Sequence, residues 1–168
     1  TASTEPVIDC NFSGTNPVYG WGTKYQGEDV TVASVAVENE FLKLTNSHGN
    51  VSNGVQASLS QAAVDVAFEN GAKYTLTFRV RAEVDVVDNN DGLSKEIPIA
   101  FQDDIENSWP ECGYFKTDES KNAQLSTEWT TVTLTATATQ TPQKGRIIFS
   151  FGHLVGTIYI DDLRLVKN

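Results

Sequence analysis

Apolar and polar positions alternate with a period of two along nearly the whole chain, the mark of strands that bury one face. Val7–Ser13 puts Ile8, Cys10 and Phe12 on one side and Asp9, Asn11 and Ser13 on the other. Gly14–Gly27, broken by Pro17, Gly20 and Gly22, reads as a loop carrying Tyr19, Trp21 and Tyr25. Val30–Val37 is a strand whose phase slips at Ala33-Ser34, which predicts a bulge. Phe41–Asn46, FLKLTN, turns Leu42 and Leu44 inward; after the polar loop Ser47–Gly54, Val55, Ala57 and Leu59 alternate again. The longest predicted strand begins at Tyr74, with Leu76, Phe78, Val80, Ala82, Val84 and Val86 on its face and Arg79 and Arg81 on the opposite one. Asn89-Asn90-Asp91-Gly92 predicts a hairpin that returns the chain into Ile97–Gln102. Trp129–Thr139 sets Val132, Leu134, Ala136 and Ala138 against threonines, and Arg146–Phe151 and Thr157–Val166 are the last two strands.

Parity changes once inside the final strand: Ile158 and Ile160 share a face, whereas Leu163 and Leu165 fall on the other. The change sits at Asp161-Asp162, so the strand either bulges there or is buried on both faces. No helical period runs beyond two turns, and there is no internal repeat or linker. About ten short strands with regular turns predict an all-β fold, an antiparallel β-sandwich of jelly-roll type forming one domain over 1–168.

Composition narrows what such a sandwich can do. The 168 residues are 39% hydrophobic and 20% charged, ordinary values for a globular domain. No run of eighteen apolar residues is present, so no membrane span is expected. The start, TASTEPV, has neither the basic nor the apolar part of a signal peptide, which leaves a removed one open. A net charge of −10 repels phosphate backbones and argues against nucleic acid. Cys10 and Cys112 are either one long-range disulfide or two buried thiols; the alternation of Cys10 with Ile8 and Phe12 favours thiols.

Catalytic patterns are scarce. GxxxxGK, HExxH, CxxC and GxSxG are all missing, and His48 and His153 have no recognisable nucleophile beside them. Asp103, Asp104, Glu106 and Glu111 could form a carboxylate pair for glycoside hydrolysis, yet they crowd a polar loop that reads as solvated charge. The stretch Ile97–Phe115 is the more telling one. An apolar strand breaks into that acidic loop, presents Trp109-Pro110, and returns through Gly113 into Tyr114-Phe115. Trp109 is there either an exposed platform or a lid folded back on the core. With it, Tyr114, Gln102, Arg81, Arg79, Gln56 and His153 supply the phenol, amide, guanidinium and imidazole groups that pair with sugar hydroxyls, if they converge on one concave face.

Four pieces of sequence carry a family likeness: Asn11-Phe12 with Gly20-Trp21, FLKLTN at Phe41–Asn46, AKYTLTFRVRAE at Ala72–Glu83, and GTIYIDDLRL at Gly156–Leu165. In that order they resemble carbohydrate-binding modules of families four and twenty-two. The resemblance implies a galactose-binding-like sandwich whose concave face holds single β-glycan chains, xylan first and β-glucan second. It implies a non-catalytic, secreted or cell-surface protein of bacterial type, attached in the same chain to a glycoside hydrolase such as a xylanase. Trp109 matches the family's aromatic platform before Glu111-Cys112-Gly113, and Tyr114 a polar contact; Trp21 matches a structural tryptophan, and Trp129 reads as a cap on a sheet edge. The family's second tryptophan is absent from Asn50–Asn53, unless Tyr19, Trp21 or Tyr25 substitutes. A structural calcium is also implied, with Asp161 matching one ligand and Ser13 standing where a glutamate is usual. The rival readings are a protein-adhesion or assembly module and a small glycoside hydrolase.

Overall fold

The computed structural model describes residues 6–10, 22–24, 33–38, 40–46, 56–60, 68–83, 87–88, 95–103, 111–151 and 154–168, with backbone alone at 6–10, 22–24, 33–38, 56–60 and 87–88. Fourteen strands run through them: β1 (Pro6–Cys10), β2 (Gly22–Lys24), β3 (Ala33–Glu38), β4 (Phe41–Asn46), β5 (Gln56–Ser60), β6 (Lys73–Ala82), β7 (Val87–Asp88), β8 (Glu96–Ile97), β9 (Ile99–Asp103), β10 (Glu111–Phe115), β11 (Ala123–Gln124), β12 (Thr130–Thr137), β13 (Gly145–Ser150) and β14 (Leu154–Lys167). All pairings are antiparallel. None of the described residues is helical.

A seven-stranded sheet follows the order β12-β6-β14-β4-β3, with β1 and β7 also on β14, and a five-stranded sheet runs β10-β9-β13-β5-β2. Strands β8 and β11 form a separate pair. The alternation predicted for β4 and β6 puts every second residue in the core, and β12 does the same with Val132, Leu134 and Ala136. Facing them across the sandwich are Ile99, Phe101, Phe115, Ile147 and Phe149. Rings from the two sheets meet directly, Tyr74 on Phe101 at 5.1 Å and Phe78 on Phe149 at 5.7 Å. Burying each such ring is worth about 2–3 kcal/mol. The buried Tyr74 hydroxyl accepts a hydrogen bond from Glu69 N–H at 2.9 Å, so its polar end is satisfied.

At one edge the sheets are stitched together. Lys116, just after β10, bridges to Thr135 of β12, and Thr139 N–H donates to Cys112 C=O at 2.7 Å. Gly113 lies at this crossing with φ of 150°, and a Cβ there would stand 2.8 Å from the Thr137 carbonyl oxygen. Only glycine fits that approach.

Three expectations are corrected. Gly22–Lys24, read as loop, is a strand, because pairing with Thr23↔Ala57 register on β5 extends the five-stranded sheet. Asn89–Gly92 lies outside the described residues, and the strands on either side of it do not form a hairpin. β7 pairs with β14, β8 with β11, and β9 belongs to the opposite sheet. The longest strand is β14 with 14 residues, not β6 with 10. The expected irregularity in β14 is present as a bulge: its register against β6 shifts between Asp161 and Arg164, and Asp162 takes φ of 50°. That extra residue moves Leu163 and Leu165 onto the core side already used by Ile158 and Ile160.

Candidate functional site

Strands β9 and β13 are buried on both faces. Their core-side residues are Ile99, Phe101, Ile147 and Phe149. The other parity, Ala100, Gln102, Arg146, Ile148 and Ser150, is also withdrawn from solvent, each 9% exposed or less. Cross-strand register arranges this outer face in rows. One runs Tyr114–Ala100–Ile148–Ser58–Gly22; the next holds Gln102, Arg146 and Ser60; a third has Ser150, Gln56 and Lys24.

Among the described side chains of this face, the buried charge is that of Arg146, from which Gln102 accepts. Arg146 Nε donates to Gln102 Oε1 at 3.1 Å, and Nη2 of the same guanidinium donates to that oxygen too. A buried guanidinium needs such partners, and this one oxygen takes two of its five N–H donors. Nearby, Asp103 is 3% exposed, and its two oxygens accept from Gln143 N–H at 3.1 Å and Lys144 N–H at 2.9 Å. This corrects the reading of Asp103 as solvated loop charge: it anchors the turn before β13. Tyr114, at the open edge of the first row, is 55% exposed, and Lys116 Nζ stands 5.9 Å from its ring centre.

The structure brings together Tyr114 and Gln102, in adjacent rows of this face, with the backbone of Gln56 two strands across. It does not bring Arg79 and Arg81 to them. Both project from the outer face of β6 in the other sheet, because the core parity of that strand belongs to Phe78, Val80 and Ala82. There Arg79 lies 4.9 Å over the Trp129 ring, and Arg81 lies 4.8 Å over Tyr159 and 5.8 Å over Trp129. Phe41 joins the stack 5.0 Å from Trp129, so Trp129 packs across the sheet's outer face. Asp162 and Glu83 pair with the two arginines at 3.4 and 3.6 Å.

Trp109, His153 and Ser13 lie outside the described residues. The connection containing Trp109 joins β9 to β10, neighbours in the five-stranded sheet. Sequence reasoning missed Arg146, although a signal was present: Ile147-Ile148-Phe149 puts three apolar residues in a row, as a strand buried on both faces does.

Cys10 and Cys112 stand in opposite sheets. The Cys112 sulfur is buried and accepts from Gln140 Nε2 at 3.1 Å, and burial pushes its thiol pKa up. Asp161, the expected calcium ligand, turns Oδ1 back onto Asp162 N–H at 2.8 Å. Burial raises its pKa, with the neighbouring Asp162 carboxylate adding to the rise. Calcium takes six or more oxygens. Among the described residues no group of three acidic, histidine or cysteine side chains is placed to hold a metal, so those residues alone do not make its shell.

The described residues form an antiparallel β-sandwich with buried polar groups on the outer face of one sheet and an exposed tyrosine at that sheet's edge. The chain matches the carbohydrate binding domain family CBM_4_9 over residues 5–155, and it belongs to that family. It is therefore a non-catalytic, carbohydrate-binding module, and the reading as a small hydrolase falls. Solved structures agree on the fold. The N-terminal cellulose-binding domain of Cellulomonas fimi β-1,4-glucanase C is similar at 20% identity and a TM-score of 0.61, with 98% of each chain covered. The CBM22-1 xylan-binding domain of Paenibacillus barcinonensis Xyn10C is similar at 12% identity and a TM-score of 0.59, over 99% of this chain and 97% of that one. The CBM22-1–GH10 portion of Clostridium thermocellum xylanase 10B, complexed with xylohexaose, matches at 16% identity and a TM-score of 0.60. There the match covers 97% of this chain but 28% of the other. No curated protein matches the chain. Among the described residues no helix is long and apolar enough to cross a membrane.

Proposed function

We propose that the module binds a single β-1,4-linked glycan along the outer face of the five-stranded sheet, xylan before β-glucan. In this reading it holds an attached glycoside hydrolase, a xylanase, on that polysaccharide outside the cell or at its surface. The observation that carries the reading is that the exposed Tyr114 shares the outer face of one sheet with the hydrogen-bonded Gln102–Arg146 pair, on the sheet whose β9–β10 connection contains Trp109. Polar groups on such a face fix hydroxyls, while an aromatic face stacks on the C–H side of a pyranose. Two of the similar structures, a xylan-binding domain and a xylohexaose complex, support xylan, and the similar cellulose-binding domain keeps β-glucan as the second ligand.

Trp109 is the stacking platform in this reading, with Tyr114, Gln102, Gln56 and His153 as polar contacts. Trp109→Ala is expected to cost about 2 kcal/mol, roughly thirtyfold in affinity. Titration calorimetry with xylohexaose checks it, and unchanged affinity removes Trp109 from the site. Affinity gels containing xylan, mixed-linkage glucan and hydroxyethylcellulose rank the ligands; retardation by none of them defeats the reading. A calcium ion using Asp161 and Ser13 belongs to the same proposal, its remaining ligands coming from outside the described residues.

A further inference from the structure

We propose that a polar cleft at the β10–β11 edge is a second contact, one that takes a carboxylate-bearing sugar substituent, a uronic acid branching from the bound chain. This rests on the reading of the adjoining face as the glycan site. The cleft has a volume of about 360 Å³ and is lined by Glu96, Lys116, Ser120, Lys121, Asn122 and Gln124. Its walls are held in place by backbone. Glu96 of β8 stands opposite Gln124 of β11 in register. The turn that delivers Lys121 and Asn122 is closed by Thr117 N–H to Lys121 C=O at 2.8 Å, with Ser120 at φ of 60°.

The hydrogen bonds inside the cleft decide its chemistry. Glu96 Oε1 accepts from Asn122 Nδ2 at 3.1 Å, and Oε2 accepts from Gln124 Nε2 at 2.9 Å. Asn122 Oδ1 accepts from Lys116 Nζ at 2.5 Å. Both Glu96 oxygens and Asn122 Oδ1 are thus engaged within the wall, while each lysine ammonium carries three protons and only one of those on Lys116 is taken by Asn122. Lys121 pairs with Glu119 at 3.2 Å on the exposed rim, a contact water and salt exchange easily. A neutral sugar needs acceptors as well as donors for its hydroxyls. A donor-rich cleft suits a carboxylate, which only accepts. Position supplies the second half of the argument. Lys116 lines the cleft and also stands 5.9 Å from the centre of the exposed Tyr114 ring, which ends a row of the proposed glycan face. A sugar resting on Tyr114 would direct a substituent towards Lys116.

The test is calorimetry at low ionic strength with three ligands on one xylose backbone: linear, bearing a glucuronic acid branch, and bearing a neutral arabinose branch. The uronate ligand is expected to bind about tenfold more tightly than the linear one, and high salt to erase the gain. The ratio should fall to about one in the Lys116→Gln, Lys121→Gln double variant, whose fold circular dichroism confirms. A ratio near one in the wild type overturns the proposal, as does a gain that survives in the double variant or is matched by arabinose. If the linear chain does not bind at all, the reading of the face fails on its own. The cleft is then judged by amide NMR with glucuronate alone: shifts at Ser120–Asn122 uphold a carboxylate site, and their absence overturns it.

Discussion

The two sheets turn different outer faces to the surroundings. The five-stranded sheet hides its second face: Gln102 and Arg146 lie 8% and 6% exposed beside Ile148 and Ala100, and Tyr114 stands out at the edge. On the described part of the seven-stranded sheet, the Trp129 and Tyr159 rings already carry arginine guanidinium groups within 4.8–5.8 Å. Asp162 and Glu83 balance those guanidinium charges. Residues with the right chemistry for a sugar are therefore present on both faces. What separates the described parts of the faces is burial: the Arg146 guanidinium is withdrawn from solvent with its partner Gln102, whereas Arg79 and Arg81 pair at the surface.

The largest expected effect is at Arg146. Arg146→Met leaves the buried Gln102 carbonyl short of its donor and is expected to cost about 1–3 kcal/mol of stability, read from the urea midpoint. Glycan affinity should fall at least tenfold, about 1.4 kcal/mol, if this face is the site. Pairing it with Gln102→Leu removes both partners, so stability should largely return while binding does not. A double variant that binds xylohexaose like the wild type would place the site elsewhere.

Much of the fold was legible because burial on one face writes itself as alternation. The predicted bounds of Phe41–Asn46 are those of β4, and the parity change at Asp161-Asp162 located a real bulge. Gly22–Lys24 was not legible, since three residues among glycines carry no period and are strand only through pairing with β5. Asn89–Gly92 misled for a related reason: a local turn signal cannot say which sheet the chain enters next. The placement of the candidate site residues was legible only in part. Alternation put Arg79 and Arg81 on a polar face without saying which of the two sheets that face belongs to. It gave Asp103 no mark of burial, because a polar residue whose partners lie about forty positions along the chain is spelled like an exposed one.

Trp129 tests the other side of the comparison with a smaller effect. Trp129→Ala removes a half-buried ring, its 5.0 Å contact with Phe41 and two cation–π contacts, for an expected loss of about 1–2 kcal/mol. Affinity for xylohexaose should stay within about twofold. A loss beyond about fivefold would bring the seven-stranded face into glycan binding and dissolve the distinction drawn between the sheets.

The smallest effect belongs to Asp161, at the bulge where the seven-stranded sheet changes parity. Burial raises the pKa of this carboxyl in the folded state, with Asp162 adding to the rise. The folded state therefore holds the proton more tightly than the unfolded chain, and this group's contribution to stability falls as pH rises between the two values. At neutral pH the ionised form is the costly one. Asp161→Asn removes that cost, and the Asn carbonyl can still accept from Asp162 N–H. In EDTA the variant should melt about 1–2 °C above the wild type at pH 7, and the gap should close below about pH 4. Bound calcium reverses the sign, because a cation needs the carboxylate that repulsion and burial penalise. If the wild type gains several degrees on adding calcium and the variant gains none, Asp161 is a ligand. If both melt alike with and without the ion, its carboxylate is a cost the bulge bears unaided.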